Sequence, residues 1–203
     1  MKGYTLDFGP EVDDEPLNLQ RLKLESETRQ RLETMPNFTL HELAGYCPVQ
    51  GQGDLEGQYW YFRARGSKWR FELGGNENFT KAPSWWHGEY WPSVDGFAAG
   101  YLTDEDAIGC ILKAVELYQR GDRGRFESGH PGYERTILEG WSLGALSLHR
   151  VVKRLNITGA QALEQTKAFG IDRELEALDE PRPYVHGFNR DLGKWVELKE
   201  EDD

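Results

Sequence analysis

The stretch from Tyr46 to Leu73 constrains the fold most, because it fixes strands, turns and a buried face together. Along Gln58–Arg65, Trp60, Phe62 and Ala64 alternate with Tyr59, Tyr61, Arg63 and Arg65. Successive strand side chains point to opposite sides of a sheet, so this period gives one apolar and one polar face. Gly66-Ser67 is a two-residue hairpin loop of the Gly-Ser kind, and Lys68 to Leu73 returns beside it. That loop pairs Arg65 with Lys68, Ala64 with Trp69, Arg63 with Arg70 and Phe62 with Phe71. Trp69, Phe71 and Leu73 then join Trp60 and Phe62 on the apolar face. Upstream, Asp54-Leu55-Glu56-Gly57 fits a type I turn, with Asp first and Gly fourth. It sets Val49 opposite Phe62 and Cys47 opposite Ala64, which sends Cys47 to the core. Three strands that agree on a face pin the register, since a one-residue slip turns every side chain over. The expectation is an antiparallel meander over about 46–73.

The other face of that meander is crowded with cations. Gln50, Gln52, Tyr59, Tyr61, Arg63, Arg65, Lys68, Arg70 and Glu72 share it. Two directly opposed pairs, Arg63–Arg70 and Arg65–Lys68, are like-charged, which costs roughly a few tenths of a kcal/mol each. Something must offset them: solvent, an acidic segment of the chain, an acidic partner, or a phosphate-bearing ligand. Tyr interleaved with Arg on a sheet is also a platform for stacking bases. Tyr59, Tyr61, Arg63, Arg65 and Arg70 are therefore candidate ligand or partner residues.

The rest of the chain supplies helices, so the fold class is α+β. Residues 18–35 read as a surface helix capped by Asn18 and laced with i,i+4 charge pairs such as Lys23–Glu27. Residues 75–93 read as an aromatic loop or short strand, and 94–102 as an extension of the sheet. Thr103 caps a helix with Asp104, Glu105 and Asp106 in its first turn and an apolar stripe through Ile108, Ile111, Leu112, Val115 and Tyr118. Gly121 ends it. From Ile137 to Leu155 apolar residues return at helical spacing, which predicts a helix over 134–155. Both helices are expected on one side of the sheet. Tyr184–Phe188 and Lys194–Leu198 read as a C-terminal hairpin. Residues 1–203 read as a single domain.

Charge narrows the choice of partners. The 203-residue chain has a formal net charge of −11, and the acidity sits at its ends. The leader 1–16 carries five acids against Lys2, and the last seven residues, 197–203, carry five more. Such ends suit a basic protein surface and repel free nucleic acid. The start runs straight into acidic residues, so no secretory leader is expected, and no apolar run is long enough for a membrane span. Two cysteines, Cys47 and Cys110, make no disulfide framework, so a reducing cytoplasm is expected. The five histidines are scattered without zinc-like spacing, and no phosphate or dinucleotide loop stands out, so neither a metal nor a cofactor is expected.

Two further features bear on function. Trp85, Trp86, His87, Tyr90 and Trp91 form the densest aromatic run. It either plugs the core or anchors a partner, for which Trp85, Trp86 and Trp91 are the candidates. Gly140-Trp141-Ser142-Leu143-Gly144 resembles the nucleophile elbow of α/β-hydrolases. The resemblance implies Ser142 as nucleophile, Asp172 or Asp179 as orienting acid and His186 as base. The competing reading is a helix whose Gly140 and Gly144 allow close packing. The leading expectation is a small acidic cytoplasmic interaction protein, a non-enzymatic binder or inhibitor of another protein, which itself handles nucleic acid in one version of this reading. In size and charge it resembles immunity proteins and phage-encoded inhibitors. The alternatives are a binder of nucleotides or other anionic small molecules through the Tyr/Arg face, and a small serine hydrolase through Ser142.

Overall fold

Alternation builds the sheet, and glycine lets its largest side chain lie flat. The computed structural model describes residues 15–93, 96–121, 123–171, 185–189 and 194–198, with the backbone alone at 15–22, 24 and the last two segments. Five antiparallel strands lie in chain order: β1 (Phe38–Ala44), β2 (Val49–Leu55), β3 (Gln58–Arg65), β4 (Lys68–Leu73) and β5 (Trp85–Tyr90). Trp60 pairs with Gly53, where an added Cβ would stand 2.9 Å from the indole. The indole stacks between Phe38 and Phe71, each at 5.3 Å, and donates its N–H to the Thr39 carbonyl at 3.1 Å.

The meander is α+β as expected, and the β3–β4 register, from Arg65↔Lys68 to Phe62↔Phe71, matches the sequence reading. The β2–β3 register differs. Val49 pairs with Ala64 and Gly51 with Phe62, because Glu56 and Gly57 both take positive φ (53° and 74°) in a two-residue turn. The slip is two residues, so every side chain keeps its face. Cys47 is not on a strand: it sits exposed in the β1–β2 connection before a cis Pro48. The sheet is extended by β5, and the described part of the expected 94–102 strand, 96–102, is not a strand. Ala98–Tyr101 forms a single 3-10 turn tied to the meander through Ala99 N–H to the Gly66 carbonyl at 3.0 Å.

Helices cover both faces. α1 (Glu15–Glu33) begins before Asn18, with Pro16 in its first turn, where proline costs little. It lies on α2 (Asp104–Gln119), burying Leu32, and Arg29 and Arg31 reach across to Glu105 at 3.3 Å and Glu116 at 2.7 Å. Thr103 caps α2 as predicted, and Ile108, Ile111 and Val115 pack on the apolar face.

The expected helix 134–155 is two helices, α3 (Tyr133–Leu143) and α4 (Leu148–Leu155). Gly144 breaks them at φ 77°, and Ser147 caps α4. α5 (Gly159–Ala168) follows, with a capping box between Thr158 and Gln161. These three do not share α2's side of the sheet. They gather around Trp86, whose strand position turns it to the polar face. An added Cβ at Gly140 would stand 2.6 Å from that indole, so only glycine admits the contact. β6 (Val185–Asn189) and β7 (Lys194–Leu198) pair antiparallel as the predicted hairpin. No helix among the described residues is long and apolar enough to cross a membrane.

Candidate functional site

The structure treats the two surfaces singled out in the sequence differently. On the polar face, the like-charged Arg63–Arg70 pair is confirmed in register, and Glu72 of the same strand answers it. Arg70 binds Glu72 through Nε and donates to the Leu143 carbonyl of α3 at 3.4 Å. Arg63 donates to Gln50 Oε1 at 3.1 Å, which also accepts from the Tyr61 hydroxyl. Tyr59 donates to Gln52 Oε1 at 3.0 Å, and Gln52 donates to Glu42 Oε2 at 3.1 Å. Tyr61 is buried beneath Phe79, ring centroids 4.9 Å apart.

Burial pushes the Glu72 carboxyl pKa up, while Arg70, Arg150 and Arg63 pull it back. Burial likewise raises the Tyr59 hydroxyl above its usual range. The cavity beside these groups, between Tyr59, Tyr61, Glu72 and Phe79, holds only about 10 Å³, room for about one water. Arg65 is exposed at the rim. The polar groups on this face are largely engaged with one another.

The tryptophan run divides. Trp85 and Trp86 are 3% and 2% exposed, so they are core residues and not the partner anchors expected of them. Trp85 meets Phe71 and Tyr118 edge-on, and Trp86 meets Phe126 at 4.7 Å. Trp91, one residue beyond β5, is only partly buried. It lines a groove of about 470 Å³ between α1, α2 and the β4–β5 strands, together with Trp69 and Tyr90. The same groove is lined by the carboxylates Glu25, Glu89, Glu105 and Asp106, and by Lys113.

Electrostatics order this groove. Lys113 Nζ sits 2.7 Å from Glu89 Oε2, and His87 Nε2 sits 3.1 Å from Glu89 Oε1. Burial opposes ionisation of Glu89, but the hydrogen bonds from Lys113 and His87 outweigh it, and its pKa falls. Burial lowers the His87 pKa against the pull of Glu89, so the ring is held toward its neutral form. Cys110 also lines the groove, and its buried thiol is pushed up to about 12, which makes it a poor nucleophile.

No family model, curated protein or solved structure matches this chain.

The serine motif lies in the wrong context for an elbow. Ser142 is in the last turn of α3, and Thr136, Ile137 and Leu138 before it are helical, where an elbow needs a strand. Gly140 and Gly144 are explained by Trp86 and by the helix end. Asp172 and Asp179 lie outside the described residues, as do the side chain of His186, the leader 1–14 and the tail 199–203. Among the described residues no cluster of three His, Cys, Asp or Glu side chains is placed to hold a metal.

The sequence marks Glu105 and Asp106 only as first-turn charges and Glu25 only as a helix charge, and gives Glu89 no role. A signal was present: 105, 106, 109, 110 and 113 fall on one stripe of α2, beside the apolar one.

Proposed function

We propose that this chain is a non-enzymatic interaction protein that binds a basic surface of another protein, and that the groove beneath α1 is its contact site. One observation carries the reading: a groove of about 470 Å³ combines three aromatic side chains with four carboxylates. Trp and Tyr are the residues that most often dominate binding energy at interfaces. Net acidity around them selects a cationic partner and speeds encounter with it. The overall charge of −11 points the same way. A reducing intracellular setting fits the two free thiols, Cys47 and Cys110.

The test is purification of the tagged chain from its host at low salt, beside a Glu25→Lys/Trp91→Ala variant. The expected result is a stoichiometric basic protein, identified by mass spectrometry, that leaves with rising salt and is lost from the variant. A partner retained equally by both proteins removes the groove from the reading. Protein that emerges alone overturns the reading itself.

A further inference from the structure

We infer that β1, at the edge of the sheet, pairs with β1 of a second copy of this chain about a two-fold axis. This surface lies apart from the groove and takes a different partner. In the sheet order β1 has one neighbour, β2. Beyond that ladder no backbone–backbone hydrogen bond reaches Thr39 to Ala44 among the described residues. An open edge is a row of donors and acceptors ready to add a strand.

The glycines of β2 show which backbone groups face outward. A Cβ on Gly53 would collide with the Thr39 carbonyl oxygen, and one on Gly51 would stand 3.3 Å from that of Glu42. Both carbonyls therefore point toward β2. The Asn37 carbonyl does the same, accepting from the Glu56 N–H at 2.8 Å. Along an antiparallel strand the N–H and C=O of one residue point the same way, and successive residues alternate. Leu40 and Leu43 are thus the residues whose backbone groups face the open edge.

The bulge makes this edge selective. Pairing with β2 shifts between Leu40 and Glu42, at His41, so the two outward residues stand three apart and not two. A regular strand matches one of them and falls out of step with the other, which is how a bulge protects an edge. A second copy carries the same extra residue. Run antiparallel about a two-fold axis, its Leu43 lies opposite Leu40 and its Leu40 opposite Leu43, and the two bulges meet at the axis. Each of these two pairs exchanges both of its backbone hydrogen bonds, and the contact closes after two copies.

The side chains agree with that register. Leu40 and Leu43 lie on the apolar face, opposite Gly53 and Gly51, and are half-buried against the core. The two-fold sets each against the other's counterpart and carries the core across the join. On the polar face Thr39 meets Ala44 of the second copy, and both are exposed. His41 keeps Asp54 at 3.1 Å and Glu42 keeps Gln52 at 3.1 Å, since the join uses neither side chain. One strand pair is small beside the interface of a stable dimer, so the expected Kd is about 100 µM.

Sedimentation equilibrium of the full chain from about 10 µM to about 1 mM reads the association, under reducing conditions because Cys47 is exposed. The mass should rise toward that of two copies. Hydrogen exchange followed by NMR should show the Leu40 and Leu43 amides slowing as concentration rises, with the Thr39 amide unchanged. Thr39→Asp/Ala44→Asp sets two like-charged pairs across the join and should weaken it about fivefold, whereas Thr39→Lys/Ala44→Asp sets two opposite pairs and should tighten it about fivefold. Protein that stays single up to about 1 mM overturns the inference. So does a dimer that the two variants change alike or leave unchanged, because its contact lies elsewhere. Leu40 and Leu43 amides protected equally at every concentration put another segment on this edge and overturn it as well.

Discussion

On the polar face of the sheet, Arg63, Arg70 and Arg150 act on one buried carboxylate, Glu72, and the space beside it admits about 10 Å³. Beside β4 and β5, Trp69, Tyr90 and Trp91 meet four carboxylates around about 470 Å³ of open groove. Both surfaces mix aromatic rings with charge, and both stand out in the sequence. They differ in whether the charges close on each other. On the polar face, α3 lies over Arg70 and Trp86, and Arg63, Arg70, Tyr59 and Tyr61 all donate to acceptors within the chain. In the groove the lining carboxylates outnumber the lining cations, and Trp91 is only partly buried. Composition marks where charge and aromatics gather, and packing decides which of the two surfaces still has something to bind.

The sharpest way to break this contrast is to remove the acid from the closed surface. Glu72→Ala removes a buried carboxylate, leaves the half-buried Arg70 without its counter-charge and should cost about 3–5 kcal/mol in urea unfolding. A cost below about 1 kcal/mol would mean that solvent and not Glu72 answers the arginines. Next comes the contact that closes the face. Gly140→Ala pushes a methyl group to within 2.6 Å of the Trp86 indole and should cost about 1–3 kcal/mol by the same measurement. An unchanged midpoint would show that α3 can lift away from the sheet.

In the groove the effects on stability are smaller. His87 has its pKa lowered below 6.5 by burial, so the unfolded chain takes up the proton first as pH falls. Stability contributed by the neutral ring is therefore present above pH 6.5 and is lost as pH drops through that value toward the folded pKa. Glu72 works in the opposite direction: its pKa is raised above 4.5, so its penalty is largest at high pH and is relieved on acidification. Urea midpoints from pH 7.5 to 5.5 in wild type and His87→Gln separate the two, and the variant should show the flatter acid limb. Smallest is Trp91→Ala, expected to cost about 1 kcal/mol of stability while removing most binding to a basic partner. A loss of stability with unchanged binding would move Trp91 from the site to the core.

The sheet was legible because its signal is redundant. Trp60, Phe62, Trp69 and Phe71 point to one face through two strands and a turn, so even the wrong turn at Asp54–Gly57 left the face assignment intact. β1 was hidden because its alternation is interrupted: the register shifts between Leu40 and Glu42, at His41. β5 was left open between loop and short strand by its own composition. Trp85 and Trp86 are both buried, on opposite faces, and a strand covered on two sides has no period of two to read. That missing period also concealed the placement of α3, and with it the cover over the Arg face. The groove was only half legible. Trp91 could be suspected from its neighbours, but the acids of α2 double as first-turn charges, and α1 had to be placed before they faced anything.

The order of the strands also says something about time. Each strand of the meander hydrogen-bonds to the next in the chain, and two of the joints, Glu56-Gly57 and Gly66-Ser67, are only two residues long. Bringing such ends together costs little loop entropy, so β2, β3 and β4 can zip from their turns on the microsecond scale of isolated hairpins. The closure of α3 over Trp86 joins segments about fifty residues apart and has no such shortcut. The contact of α1 with α2, Arg29 to Glu105, spans 76 residues and has no such shortcut either. Both surfaces are therefore built on strands joined by local turns and completed by contacts distant in the chain.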